Sequence, residues 1–485
     1  MKTNLLLLGL MCGTLSLVGC QKDIDDTTDQ TTNLISRTGM ISDTPWEEGG
    51  SRTIYDETGI HLKGDEAMSV YYGDAALATQ QPPQPLDLNK NNPVTAKITV
   101  DKYSFTHAAI AGAAAYNYYF LLPDVGTNGK NTKGDAISGI LTSVQNPTAA
   151  TFDSDNDYLV GKPIENVPAA KTELLKTDLQ FKRLFAHLKI TIADAGKLLK
   201  GESIYAVRLT PSGAAVKKNP LTGFFYAKIF SSVFSECAVG SWGNGAKTGF
   251  GNTLMADYPS GMAPKGTDYT VWFLVNPITL TAGDMKLEIT TATQTLTRTI
   301  ALPKITILSN KINKLSLSTA GGTSEKTFVQ SFATETKGSD VVATTTPVTV
   351  SLTASDGTAS DWIFGASTGK IAYIKNGRQS APQFGLSLEP SSATTITLPQ
   401  IAGKTITKIV FVQAPNNARN PNNDFTLKAG ATSISCNFDG YALMTSGGCL
   451  TVDIPAAEQG KSLVIEHAST NTRRTVLESM ILYYK

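Results

Sequence analysis

The segment Ala186-His187-Leu188-Lys189-Ile190-Thr191-Ile192 alternates apolar and polar side chains without a break, and segments of this kind recur along most of the chain. A period of two places the apolar side chains on one face of an extended backbone; a helix, with about 3.6 residues per turn, cannot do so. Ala96 to Val100 and Met285 to Thr290 follow the same rule, and Ile204 to Leu209, Leu296 to Ile300 and Lys311 to Leu317 read as strands with looser alternation. Tyr269 to Val275 is apolar nearly throughout and reads as a strand buried on both faces. Thr291 to Thr295 lies between two alternating runs and reads as the turn of a hairpin. Only Thr172 to Leu184 suggests a short helix or turn. Strands of this length, spaced by polar turns, predict β-sandwiches.

The first residues have another character. Met1 to Asn4 carries one positive charge, and an apolar run from Leu5 to Val18 follows it. That run is too short for a stable membrane span. It ends Leu17-Val18-Gly19-Cys20, which resembles the lipobox of bacterial lipoproteins. The resemblance implies a signal peptide over residues 1–19 and a diacylglycerol on Cys20. Acyl chains bury at roughly 0.8 kcal/mol per CH₂, so two or three of them anchor a protein to a membrane. Residues 20–32 are polar and acidic and read as a tether. Lys22 followed by acids resembles the surface-export signals of Bacteroidetes lipoproteins, which points to the outer face of the outer membrane.

The net charge is +1, with no run of like charge, so nucleic acid is not an expected partner. Nor does any motif predict catalysis, a cofactor or a metal. The four histidines, His61, His107, His187 and His467, lack metal spacing, and no Gly-x-Ser-x-Gly accompanies them. His187 falls in the polar phase of its strand and reads as a surface or edge residue; His467 reads as structural. Asp153-Ser154-Asp155-Asn156-Asp157 begins like a calcium loop, but Tyr158 and Ile164 stand where such a loop needs Gly and Glu. A turn rich in Asp is the expectation there. Cys436 and Cys449 form either one disulfide across a hairpin or two unpaired buried thiols.

Several landmarks then occur in order: Asn33 to Arg37 after the tether, Ser51-Arg52-Thr53, Gly64 to Tyr71, Asp157 to Gly161, Leu179 to Leu188, and the closing run Ile305 to Ser318. Together they resemble the fimbrillin-like family of Bacteroidetes, the lipoprotein subunits of fimbriae, over roughly residues 33–319. The resemblance implies two tandem β-sandwich subdomains, 33–180 and 181–320. It also implies assembly with other fimbrial subunits by strand exchange. An arginine-specific protease removes the first strand, and a neighbour's strand fills the exposed groove by main-chain pairing. Cleavage needs an arginine in an accessible loop. Arg52, in the loose segment Glu47 to Thr53, is the first candidate and Arg37 the second. Retention of the first strand, with both arginines as ordinary surface residues, stays open.

Gly321-Gly322-Thr323-Ser324-Glu325 reads as a flexible junction to a third unit, 321–485. Its alternating segments, with Asp361-Trp362-Ile363-Phe364 and the final Ile481 to Tyr484, resemble galactose-binding-like jelly rolls at fold level. The whole chain is therefore expected to be all-β: two tandem sandwiches plus a C-terminal jelly-roll-like sandwich. Such modules bind sugars through aromatic faces and polar loops. The candidates are Trp362, Tyr373, Asn376, Arg378, Asn416, Asn417, Arg419, Asn422 and Asn423. The competing readings are a core position for Trp362 and a solvated loop for Asn416 to Asn423. The leading expectation is a fimbrial subunit or adhesin of tip or accessory type, since a simple stalk subunit has no domain of this size there. The alternative is a non-polymerising surface lipoprotein whose residues 321–485 bind host or microbial glycans or proteins.

Overall fold

The computed structural model describes residues 34–41, 54–56, 59–61, 67–76, 94–99, 102–124, 132–133, 136–148, 150–153, 157–170, 172–211, 221–242, 253–309, 311–332, 347–365, 371–374, 385–388, 393–413, 425–436, 449–468 and 475–485. These form thirty-six strands, β1 to β36 in chain order, with only short 3₁₀ turns between them. The all-β expectation is met. Among the described residues no helix is long and apolar enough to cross a membrane.

One eight-stranded sheet runs in the order β12 (Thr172–Leu179), β1 (Leu34–Ile41), β6 (Lys102–Ala108), β5 (Val94–Thr99), β4 (Ala67–Asp74), β7 (Ala115–Leu122), β11 (Leu159–Pro168), β13 (Phe181–Arg183). Its inward residues, among them Ile35, Val70, Phe105, Tyr118, Phe120 and Leu179, make the first core. Thr172 to Leu184, expected as a helix or turn, is two strands instead. Leu175 and Leu179 enter the core, and pairing with β1 and β11 decides the local conformation. A second core joins this sheet to the middle of the chain through Tyr71, Tyr119, Phe185, Phe225 and Trp272. Phe225 comes from a four-stranded sheet of β17 (Val239–Trp242), β16 (Gly223–Lys228), β9 (Ala136–Leu141) and β8 (Thr132–Lys133).

A three-stranded sheet, β19 (Asp268–Val275), β14 (Ala186–Ala193) and β24 (Ile312–Ser318), faces part of a larger one across a third core that includes Ile190, Phe273, Val207 and Ile289. The fully buried phase expected for Tyr269 to Val275 is observed in β19. The larger sheet runs β10 (Val144–Gln145), β18 (Leu254–Met262), β15 (Ile204–Pro211), β21 (Gly283–Thr291), β22 (Gln294–Leu302), β25 (Thr323–Ser331), β36 (Thr475–Tyr484), β29 (Gly385–Leu388), β28 (Ile371–Ile374). The expected hairpin is β21–β22, with a tighter turn than the sequence suggested. β31 (Ile406–Gln413) pairs with β36 and with β34 (Cys449–Asp453).

The expected flexible junction is part of this sheet. β25 begins at Thr323, pairs with β22 through Thr323–Lys326, and continues as a partner of β36 through Thr327–Ser331. One strand thus serves both units. A small core of Val144, Ala206, Met255, Val329, Val410, Val412, Ile481 and Tyr483 seals the seam. Arg208 Nη1 donates across it to Thr451 Oγ1 at 3.0 Å, and Lys408 Nζ to Glu325 Oε2 at 3.0 Å. Gly322 permits the approach, because a Cβ there would lie 2.7 Å from Leu296 Cδ2. The C-terminal unit is completed by a six-stranded sheet: β26 (Val348–Thr353), β27 (Ala359–Phe364), β30 (Thr394–Thr397), β35 (Leu463–His467), β32 (Phe425–Ala429), β33 (Thr432–Cys436). It packs on β31 and β36 around Trp362, Phe364, Phe411, Leu427 and Leu482.

Candidate functional site: the slot of the first strand

β1 comes first in the described chain yet lies inside its sheet. It pairs antiparallel with β6, from Leu34↔Ala108 to Met40↔Lys102, and parallel with β12, from Ser36↔Thr172 to Ile41↔Leu179. Its inward positions are Ile35, Arg37, Gly39 and Ile41, alternating with exposed Leu34, Ser36, Thr38 and Met40. Ile35 is ordinary core. The next inward side chain is a charge.

Arg37 is 1 % exposed. Its Nε donates to Tyr118 Oη at 2.9 Å, its Nη1 to the carbonyls of Ala170 (2.7 Å) and Ser36 (3.2 Å), and its Nη2 to the carbonyl of Pro168 (2.9 Å). No carboxylate is among these partners, so the guanidinium is held by neutral acceptors, which its planar fork reaches in several directions at once. The chain of bonds continues. His107 Nε2 lies 2.9 Å from Tyr118 Oη, and His107 Nδ1 lies 2.9 Å from the carbonyl of Ala108. A carbonyl only accepts, so Nδ1 carries the hydrogen, Nε2 accepts from the Tyr118 hydroxyl, and that oxygen accepts from Arg37. Burial, together with the Arg37 charge, holds the imidazole neutral and lowers its pKa to about 4. Burial raises the Tyr118 phenol to about 12.

Gly39 follows on the same face. A Cβ there would lie 2.6 Å from Tyr103 Cζ and Oη, so the ring covers the strand where its side chain is absent. This slot therefore has an apolar site for Ile35, a polar site for Arg37 and a closed site at Gly39. Among the described residues β12 has β1 as its one strand partner, so withdrawal of β1 would leave unpaired backbone on both β6 and β12. Main-chain pairing on both sides and the side chains of Ile35 and Arg37 hold β1 in this slot. Among the described residues no group of three or more His, Cys, Asp or Glu side chains is placed to hold a metal ion.

The other sequence candidates are scattered. Cys20 and Arg52 lie outside the described residues, as do Asn376, Arg378, Asn416, Asn417, Arg419, Asn422 and Asn423. Tyr373 falls within β28. Trp362 is a correction: it is fully buried in the C-terminal core against Phe332, so it offers no stacking face to a ligand. Arg37 is a second correction, since its peptide bond sits mid-strand in a sheet instead of in an accessible loop. Cys436 and Cys449 are free thiols, the former buried at the edge of the six-stranded sheet and the latter on β34 beside β31, so the disulfide is not formed.

His187 reverses its expected place. It is buried, 3.6 Å from Asp157 Oδ1, with the Phe152 ring 4.3 Å away. Arg183 Nε donates to Asp157 Oδ2 at 2.9 Å. Burial opposes ionisation of Asp157, but Arg183 and His187 hold its carboxyl down at about 2. Burial lowers the pKa of His187. Alternation misplaced this histidine because both faces of β14 are covered, one by the third core and one by the joint with the first sheet. A second buried polar group stands at the seam, where Asn146 Nδ2 donates to Glu478 Oε1 at 2.9 Å and the Asn146 amide to Asp153 Oδ2 at 3.2 Å. Burial raises the pKa of Asp257 to about 7; burial and the charge of Asp257 raise that of Glu478. No local pattern signals these carboxyls, which come from β18 and β36, strands distant in sequence that the fold brings within electrostatic reach. The signal for Arg37 was available: it shares the phase of Ile35 and Ile41, the apolar face of its segment.

No protein-family profile and no curated protein matches the sequence. Solved structures with a similar course include a Bacteroides ovatus protein described provisionally as a cell adhesion protein, at 13% identity and TM-score 0.36, covering 60% of this chain and 95% of that one. A Bacteroides ovatus fimbrial protein aligns at 11% identity and TM-score 0.29, covering 60% of this chain and 49% of that one. The shaft pilin SpaA of Lactobacillus rhamnosus GG aligns at 11% identity and TM-score 0.22, covering 60% of this chain and 99% of that one. Likenesses of this size do not assign a function, which must come from the chain's own residues.

Proposed function

We propose that this chain is a cell-surface fimbrial subunit or adhesin of tip or accessory type, anchored to the outer membrane through a lipid on Cys20 until it is processed. The observation that carries this reading is the place of β1, an N-terminal strand inside a sheet, followed by a segment that contains Arg52. Cleavage after Arg52 would leave β1 held by non-covalent bonds alone. Its departure would open two facing edges to a strand from another subunit. The sequence landmarks from Asn33 to Ser318 support the same reading. The tip or accessory role is supported at the other end. β36 pairs with β25, β29 and β31 in the middle of a sheet, and β24 leads into β25, so neither strand is free to be donated. The reading assigns no catalysis.

Immunogold electron microscopy with a tag after Lys485 tests this. Label at fibre ends is expected. Label spread over the cell body, with no fibres marked, would contradict it. The second reading, a non-polymerising lipoprotein that binds glycans through residues 321–485, is favoured by the number of buried bonds that retain β1. Glycan-array hits by the uncleaved chain would support that reading.

A further inference from the structure

We propose that the slot left by β1 selects its new occupant by sequence, accepting a strand that alternates apolar-x-Arg-x-Gly-x-apolar and rejecting strands without the arginine or the glycine. This rests on the proposed strand exchange. At the Arg37 position the wall presents acceptors only: Tyr118 Oη, already committed as a donor to His107, and the carbonyls of Pro168 and Ala170. A strand with an aliphatic residue there leaves these acceptors without their donors in a site that is 1 % exposed when filled. Lysine brings one nitrogen to a site where Nε, Nη1 and Nη2 each meet a different partner. Two residues on, Tyr103 closes the wall, and any Cβ meets its ring at 2.6 Å. Arginine and glycine at this spacing therefore fix the register of the incoming strand as well as its identity, because a slip of one residue turns both out of the slot.

The code also names the source. Arg37 is the only arginine of the chain followed two positions later by glycine. Apart from β1 itself, which could return only by reciprocal exchange, no segment of this sequence meets the requirement, and the last strand, β36, Thr475-Val476-Leu477-Glu478-Ser479-Met480-Ile481-Leu482-Tyr483-Tyr484, contains neither residue. The occupant is a strand from a different subunit that carries Arg-x-Gly in an alternating segment. Assembly at this slot is then between unlike chains.

The test uses the full chain nicked after Arg52, incubated with labelled peptides and followed by native mass spectrometry. The peptides are the sequence Leu34–Ile41, the same with Arg37→Ala, with Arg37→Lys or with Gly39→Val, and the sequence Thr475–Tyr484. The parent peptide is expected to replace the native fragment. Each substituted peptide is expected to be captured roughly tenfold less or worse, and the last-strand peptide not at all. Equal capture of parent and substituted peptides would overturn the code and leave strand exchange standing. Failure of every peptide, parent included, would remove strand exchange and the code with it. A dimer formed by exchanging β1 between two nicked copies would overturn the assignment to unlike chains.

Discussion

Arg37 Nε donates to Tyr118 Oη at 2.9 Å, tying the first strand by a charged group to a residue 81 positions along the chain. With the Pro168 and Ala170 carbonyls on the same guanidinium, this is the strongest side-chain hold on β1. Arg37→Ala is expected to cost the first sandwich about 2–4 kcal/mol, since it leaves several acceptors without donors. Arg37→Lys should recover only part. Urea denaturation, with hydrogen exchange read on the β1 and β12 amides, measures both; unchanged protection of those amides in Arg37→Ala would count against the hold.

The hold weakens in acid. His107 is at about 4 in the folded chain against 6.5 ordinarily, so the unfolded chain takes up the proton first as pH falls. The contribution is intact above pH 6.5 and declines towards pH 4 by about 3 kcal/mol in all. The difference between the parent and His107→Gln isolates this slope from that of the carboxyls, which titrate over the same range. Identical slopes in β1 amide exchange would show that His107 does not set it.

The seam has the opposite dependence. Asp257 stands at about 7 against 3.8, so the folded chain keeps a proton that the unfolded chain has lost. Its contribution is present at low pH and is lost as pH rises from 3.8 through about 7, with Glu478 acting in the same direction. Asp257→Asn is expected to raise the melting temperature at about pH 8 and to change it little at about pH 4. A lower melting temperature in the variant at both values would refute the account of the seam.

Asp157→Ala leaves Arg183 buried without its carboxylate, which is expected to cost about 3–5 kcal/mol. Calorimetry on this variant measures it; a loss below about 1 kcal/mol would place the pair outside the load of the joint.

Cys237, Cys436 and Cys449 should all alkylate in denaturant without reductant, and intact mass should rise by three adducts. One adduct would indicate that two of them are paired.

Period-two alternation marks a strand wherever one face meets a core and the other does not, as in β5 and β35. The sequence misled where tertiary contacts overrode local pattern. Thr172 to Leu179 is a strand because β1 lies beside it. Gly321 to Glu325 reads as a linker from composition, but Thr323 onward completes a sheet shared by two units. His187 lies in the polar phase of β14, but both faces of that strand are covered, whereas Trp362 lies on the one inward face of β27, whose other face is exposed. Charge alone suggests an accessible position for Arg37. The phase was right, and it places the charge inside.

The most direct test is the N-terminus and intact mass of the protein taken from the native cell surface. A chain that begins at Thr53, with Cys20 and β1 gone and another strand bound in their place, is the expected result. A chain still lipidated at Cys20, with β1 retained in every surface copy, would contradict strand exchange and leave the anchored, ligand-binding reading.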